Sequence, residues 1–242
     1  MGRAKLLLPY GGRTVLEHAV TAALESGAGL TVVVLGHEAA AARKVLAETY
    51  PGRADLRMVS NPDYLTGQAS SLRVGLRAVL DAFPELMAAP PPGSSAAAAG
   101  NVPPPALPRA VVFCLGDQPL VTAKTVTALI DAYLASPERP GPVVVAPVHA
   151  GRRGNPVLID RSLFPELLAL TGDVGARGVL DRHAGAGTLL VPAGPEVLVD
   201  LDTPEDYARL LPPSGAGPSD GSGADPDPAG SPRPRRPGSA TS

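Results

Sequence analysis

The stretch Val111-Val112-Phe113-Cys114-Leu115-Gly116-Asp117-Gln118-Pro119 limits what this chain can become more than any other. Five consecutive apolar residues bounded by a glycine read as a strand buried on both faces, which occurs in sheets covered by helices on either side. Such a strand delivers Asp117 to the point where the chain leaves the sheet. In open α/β sheets ligands bind outside the carboxyl ends of the strands, so an acid here is well placed to hold a cation. Gly116 permits close backbone approach, and Pro119 removes a donor and ends pairing. The same residues also make an ordinary strand exit with a local Asx turn.

Around this stretch apolar β-branched runs alternate with helical periodicity. Thr14 is placed to cap a helix with Leu16, Ala19, Val20, Ala23 and Leu24 on one face. A strand is expected over 31–35, an alanine-rich helix over 38–49, a short strand over 56–59 and a helix over 70–83. After Thr122 comes a helix with Val126, Leu129, Ile130 and Tyr133 on one face. Strands are expected over 143–148, 157–159, 189–191 and 197–201, and a helix over 163–170. Thr203-Pro204-Glu205-Asp206 combines a cap, a proline at the first helical position and acids in the first turn. The alternation predicts an α/β fold, a Rossmann-like, mainly parallel sheet with helices on both faces.

The 29 Pro and 27 Gly are concentrated in 88–108 and in the stretch after Pro212. We therefore expect a low-complexity insertion at 88–108, a folded domain over 1–211 and a disordered tail over 212–242. Aromatic content of 3% and a formal charge of −2 argue against nucleic-acid binding. One cysteine, Cys114, excludes an intrachain disulfide and reads as strand packing. No segment has the length and apolarity of a membrane span or a signal peptide, so a cytoplasmic protein is expected.

Polar groups collect at strand ends and helix starts. Asp200 and Asp202 lie two apart at an expected strand end and can face the same way, so with Asp117 they offer two or three oxygen ligands for Mg²⁺. Gly67-Gln68-Ala69-Ser70-Ser71-Leu72-Arg73 puts small and hydroxyl residues at a helix start, whose free N–H groups suit a phosphate or serve as a plain cap. Arg3 and Lys5 could neutralise phosphate or remain solvated. The histidines at 18, 37, 149 and 183 lack metal-ligand spacing, and there is no nucleophilic serine elbow.

Residues 1–9, Asn61-Pro62 through Arg73, Gly116-Asp117-Gln118-Pro119, Gly151-Arg152-Arg153-Gly154-Asn155-Pro156 and Asp200 to Asp206 together resemble, in order, the MobA-like nucleotidyltransferases, and among them the molybdenum cofactor cytidylyltransferases. The resemblance covers residues 1 to about 211. It implies transfer of a nucleoside monophosphate, CMP from CTP or GMP from GTP, to a molybdopterin-type acceptor with release of pyrophosphate and use of Mg²⁺; a molybdenum hydroxylase would be the recipient. It implies that Asp117 is the principal metal ligand, with Asp200 or Asp202 supporting, and that Lys5 binds triphosphate. Arg3, Asn61, Gln68, Ser70, Ser71, Arg73, Gly116, Gln118 and Asn155 would line the nucleotide and acceptor sides.

Two departures stand out. Members of this family open with a strand and a Leu-Ala-Ala-Gly-x-Ser-x-Arg loop ahead of the Met-Gly segment at position 1. Their absence predicts a start upstream, an open edge on 31–35 or 111–115, and weak CTP binding by the chain as given. Asn155 stands where the nearest members carry His, which removes a titratable group from the acceptor side. A NAD(P)H-dependent oxidoreductase of the same fold and a non-catalytic pterin-binding or insertion partner are the competing functions.

Overall fold

In a computed structural model that describes residues 5–88, 108–136, 144–173, 175–183, 185 and 187–211, the expected alternation of strands and helices is present. The chain begins with a 3-10 turn, Lys5–Leu7, and a short hairpin, β1 (Pro9–Tyr10) with β2 (Arg13–Thr14). Thr14 then caps α1 (Val15–Leu24) through a reciprocal box: Glu17 N donates to Thr14 Oγ1 at 3.2 Å, and Thr14 N donates to Glu17 Oε2 at 2.6 Å. β3 (Thr31–Leu35), α2 (Ala39–Thr49) and β4 (Leu56–Ser60) follow, with β3 and β4 parallel. Leu16, Val20 and Leu24, four apart on α1, bury against Leu35, Ala42 and Leu46.

α3 (Gln68–Ala88) leads to β5 (Ala110–Phe113), α4 (Ala123–Leu134) and β6 (Val144–His149). A two-residue turn, Ala150-Gly151, with both φ positive (48° and 76°), folds β7 (Arg152–Arg153) back on β6, the geometry that matches strand twist. β8 (Val157–Asp160) continues in that reversed direction, antiparallel to both β5 and β6. α5 (Phe164–Ala169), α6 (Ala176–Arg182), β9 (Thr188–Pro192) and α7 (Pro204–Leu210) complete the order. β5, β6 and β9 thus point the same way, and β8 and the short β7 are reversed.

Alternate residues of this sheet feed two cores. Val144, Ala146, Val157 and Ile159 face α3, α5 and α6, while Val145 and Leu158 face Leu129 on α4. Helices therefore cover both faces, as the sequence predicts. β3 and β4 form one sheet; β5, β8, β6, β7 and β9 form another. Among the described strands β3 pairs only with β4, and β5 only with β8.

Four expectations need correction. The strand over 111–115 stops at Phe113, because its partner β8 starts after Pro156, which has no N–H to extend the ladder. Cys114 is therefore exposed rather than within a buried strand, although dense surroundings at the thiol push its pKa up to about 12 and keep it protonated. The strand expected over 197–201 is replaced by a 3-10 turn, Pro195–Leu198, where Pro195 fixes φ at the first position and lacks a donor. α6 was not anticipated: glycines flank it, and it meets the core through Val179 and Leu180, with Ala176 packed beside them. Arg3 and nearly all of the 88–108 and 212–242 expectations lie outside the described residues. The described residues up to Leu210 belong to one compact unit, and only Leu211 of the second is described.

Glu17 provides a test of how α1 is anchored. Desolvation pushes its carboxyl pKa up, but hydrogen bonds from Thr49 Oγ1 at 2.6 Å and from Thr14, with the charge of Arg13, more than reverse this and hold it below the ordinary value. A group whose pKa is depressed on folding stabilises above its unfolded value and loses that contribution as pH falls through the folded value. Between pH 6 and pH 3 the thermal midpoint should thus fall less steeply in Glu17→Gln than in the natural sequence; parallel curves would show that the Glu17 charge does not anchor the helix.

Candidate functional site

Lys5, Asp117 and Asp202 come together from three distant parts of the chain. The Lys5 ammonium donates to Asp117 Oδ2 at 2.8 Å and to Asp202 Oδ1 at 3.0 Å, so a single cation bridges two carboxylates. The approach is built by backbone. Asp117 lies four residues past β5, and its carbonyl accepts Leu201 N at 3.0 Å, which seats the 200–202 segment beside it. Lys5 is fixed by its neighbours, since Leu8 N donates to Lys5 O and Leu6 and Leu7 pack on the α1 core. Burial opposes its charge, yet the hydrogen bonds and charges of Asp117 and Asp202 raise its pKa overall. The lysine is fully protonated at neutral pH.

Asp200 is held differently. Gln118, only 2% exposed, donates Nε2 to Asp200 Oδ1 at 2.6 Å and more weakly to Val197 O at 3.5 Å. Desolvation raises the Asp200 pKa, Gln118 partly offsets this, and the negative charges of Asp117 and Asp202 raise it further. Three acids with repelling fields share this corner, but only two of them share a cation. Among the described residues no three His, Cys, Asp or Glu side chains converge to hold a metal by themselves. Of the three acids expected to offer oxygen ligands, Asp117 and Asp202 face one another across the Lys5 ammonium. Mg²⁺ binds typically through one or two carboxylates and completes its shell with water and substrate phosphate, so this donor pair suits such an ion.

The Asn61 to Arg73 residues form a second, separate network. Asn61, 2% exposed, donates Nδ2 to Ser70 Oγ and Ser71 Oγ, both at 2.9 Å, and accepts Asp63 N at 3.0 Å. Ser70 Oγ in turn donates to Gly67 O and Asp63 O. The α3 N-terminus is capped by the chain itself: Ala69 N donates to Gly172 O at 3.3 Å and Gln68 N to Asp173 Oδ1 at 3.3 Å. Three of the N–H groups at this helix start, those of Gln68, Ala69 and Ser70, thus have partners within the chain. Arg73 donates Nη1 to Leu170 O. Gly67, at φ 110°, packs so closely that an added Cβ would stand 2.5 Å from Gly172 O. The sequence marked Gly67 and Arg73 as interesting but not their partners at 170–173, whose only signal was a Gly-Asp pair after a helix.

Asn155 has its backbone tied to the same segment as the acids, through Asn155 N donating to Val197 O at 3.0 Å. Its side chain lines a cleft of about 280 Å³ with Arg152, Arg153, Gly154 and Leu180. Arg153 pairs with Asp181 at 2.6 Å, and Arg152 beside it is exposed. Gly116 sits against Leu6 and Leu16 and brings the start of the chain close to the Asp117 turn.

The family model for the MobA-like NTP transferase domain matches residues 1–186. Nicotine blue oxidoreductase of Paenarthrobacter nicotinovorans is 30% identical over 220 residues, covering 87% of this chain and 90% of that protein. The molybdenum cofactor cytidylyltransferase of Escherichia coli (strain K12) is 21% identical over 207 residues, 86% of each. The crystal structure of Rv0371c from Mycobacterium tuberculosis H37Rv in complex with manganese is similar with a TM-score of 0.58 and 30% identity, over 87% of this chain and 92% of that one.

Proposed function

Because the chain belongs to the MobA-like NTP transferase domain family, we propose that it transfers CMP from CTP to a molybdopterin-type acceptor, with Mg²⁺, over a domain spanning 1–211. One oxygen of the acceptor phosphate attacks the α-phosphorus, a new P–O–P linkage forms, and the bond to pyrophosphate breaks. This displacement needs no protein nucleophile; it needs alignment and neutralised charge. The observation that carries the reading is the single cation shared by Asp117 and Asp202.

In this proposal Asp117 and Asp202 hold the metal, which when bound neutralises charge on the triphosphate and the leaving pyrophosphate. Lys5 contacts the phosphates. Asp200, bound by Gln118, stiffens the turn that presents Asp202. Asn61, Ser70 and Ser71 shape the loop on the nucleotide side, and Gln68 and Arg73 join it to the 170–173 segment. Asn155 faces the acceptor. The reported manganese complex of Rv0371c supports a divalent cation. Asp202→Asn should raise the Mg²⁺ concentration for half-maximal rate by about tenfold, a loss of about 1.4 kcal/mol in binding. Asp200→Asn should raise it less. The reverse order would make Asp200 the ligand.

Nicotine blue oxidoreductase, at 30% identity, favours a second reading in which the domain serves a nicotinamide-dependent reduction. Pyrophosphate release measured with each NTP, Mg²⁺ and molybdopterin, beside NADPH oxidation on the same preparation, separates the two. Pyrophosphate formed with CTP alone among the nucleotides supports cytidylyl transfer. NADPH oxidation without pyrophosphate would replace it.

A further inference from the structure

We propose that Lys5 is an internal counter-ion that must leave before a metal can bind, so that nucleotide binds first and the divalent cation second. The inference rests on the metal-site reading above and extends it. The Lys5 ammonium occupies the bridging position between Asp117 Oδ2 and Asp202 Oδ1, 2.8 and 3.0 Å away. Both carboxylates spend a lone-pair direction on it, and their charge toward any entering cation is reduced by one. A divalent ion arriving at the same point meets a positive group already in place, with like charges repelling at contact distance.

The lysine can move without disturbing the fold. Its backbone is held by Leu8 N and by the packing of Leu6 and Leu7, whereas its side chain, 35% exposed, carries the ammonium on a flexible four-carbon stem. Asp117 is the more enclosed partner at 21% exposure and Asp202 the more open at 68%, so solvent and ligands reach the pair from the Asp202 side. A triphosphate entering there carries about four negative charges in a compact array, more than the carboxylate pair, and draws the ammonium off. The two carboxylates are then bare beside phosphate oxygens, which is the mixed donor set that Mg²⁺ prefers. Lys5 thereby turns a weak apo metal site into a nucleotide-gated one.

The test uses Mn²⁺ alone as the probe, with the full 242-residue chain and no nucleotide. Free Mn²⁺ is titrated by electron spin resonance at fixed neutral pH. Lys5→Met keeps the stem and removes the charge, Lys5→Gln is run beside it in case the apolar tip perturbs folding, and Asp117→Asn is the control for the site. The natural sequence should bind Mn²⁺ weakly, and both Lys5 variants at least about tenfold more tightly, since two carboxylates then face the ion uncompensated. Asp117→Asn should weaken binding in either background. Unchanged or weaker Mn²⁺ binding in both Lys5 variants, with Asp117→Asn still weakening it, overturns the gate and leaves the metal site standing. Mn²⁺ binding indifferent to Asp117→Asn in every background removes the metal site, and the gate with it.

Discussion

Asp117→Asn should lower CTP-dependent pyrophosphate release on the order of a thousandfold, the scale of losing a fixed charge contact to the transferring phosphates, while the thermal midpoint stays within about 2 °C. The substitution keeps the volume of the side chain and removes one anionic oxygen. The contact that places this residue is its backbone carbonyl, which accepts Leu201 N at 3.0 Å and is untouched by the change. Lys5 would still have Asp202 as a partner. Structure and chemistry are therefore separable at this position, and the measurement is pyrophosphate release against a melting curve on one sample. Activity within a few-fold of the natural sequence would remove Asp117 from the metal site. A midpoint lowered by many degrees would instead make Asp117 a folding residue.

Gly154→Ala should have the largest effect on stability. A Cβ at 154 would lie 2.3 Å from Val197 O and 2.7 and 2.8 Å from its side chain, and Val197 is fully buried. Overpacking against a mobile side chain commonly costs 1–3 kcal/mol; here the obstacle includes backbone, so about 3 kcal/mol or more is expected. For a domain of this size that lowers the midpoint by roughly 6–12 °C. The damage should reach the chemistry too, because Val197 O is the acceptor for both Asn155 N and Gln118 Nε2, and the acids follow three and five residues later. A midpoint within about 2 °C of the natural sequence, with normal activity, would show that the 195–202 segment relaxes at no cost.

Elements whose stability comes from local pattern are legible in the chain itself. Thr14 with Glu17 three residues on and Thr203 ahead of Pro204 each cap a helix through the side chain, Thr122 stands at the N-terminus of α4 ahead of Val126 and Leu129 without a side-chain cap bond, and each begins a helix where expected. The run Thr31–Leu35 carries its strand propensity in its own side chains. What failed was set by partners. β5 ends where Pro156 across the ladder has no donor, a fact located more than forty residues away, and α6 is helical because Val179 and Leu180 meet a core built by α3 and α5. The acids at 117, 200 and 202 were legible as a group from their places at segment ends. Their division into a Lys5-bridged pair and a Gln118-bound third was not, because it depends on the Asp117 carbonyl catching Leu201, a backbone bond with no residue signature.

The bridge from Lys5 to Asp117 spans 112 residues and that from Lys5 to Asp202 spans 197. Synthesis runs at about 5–20 residues per second, so Asp202 emerges from the ribosome roughly 4 to 17 s after Asp117. During that interval the β5 turn exists without Leu201 to seat it, and Lys5 has only one of its two carboxylates. A nascent chain halted short of Leu201 lacks both the backbone latch and the second acid, whatever its earlier helices and strands have achieved. Closure of this ammonium bridge is accordingly a late event in folding, and ribosome-bound chains of increasing length should acquire protection of the Lys5 amine from acylation only once the 200–202 segment has cleared the exit tunnel.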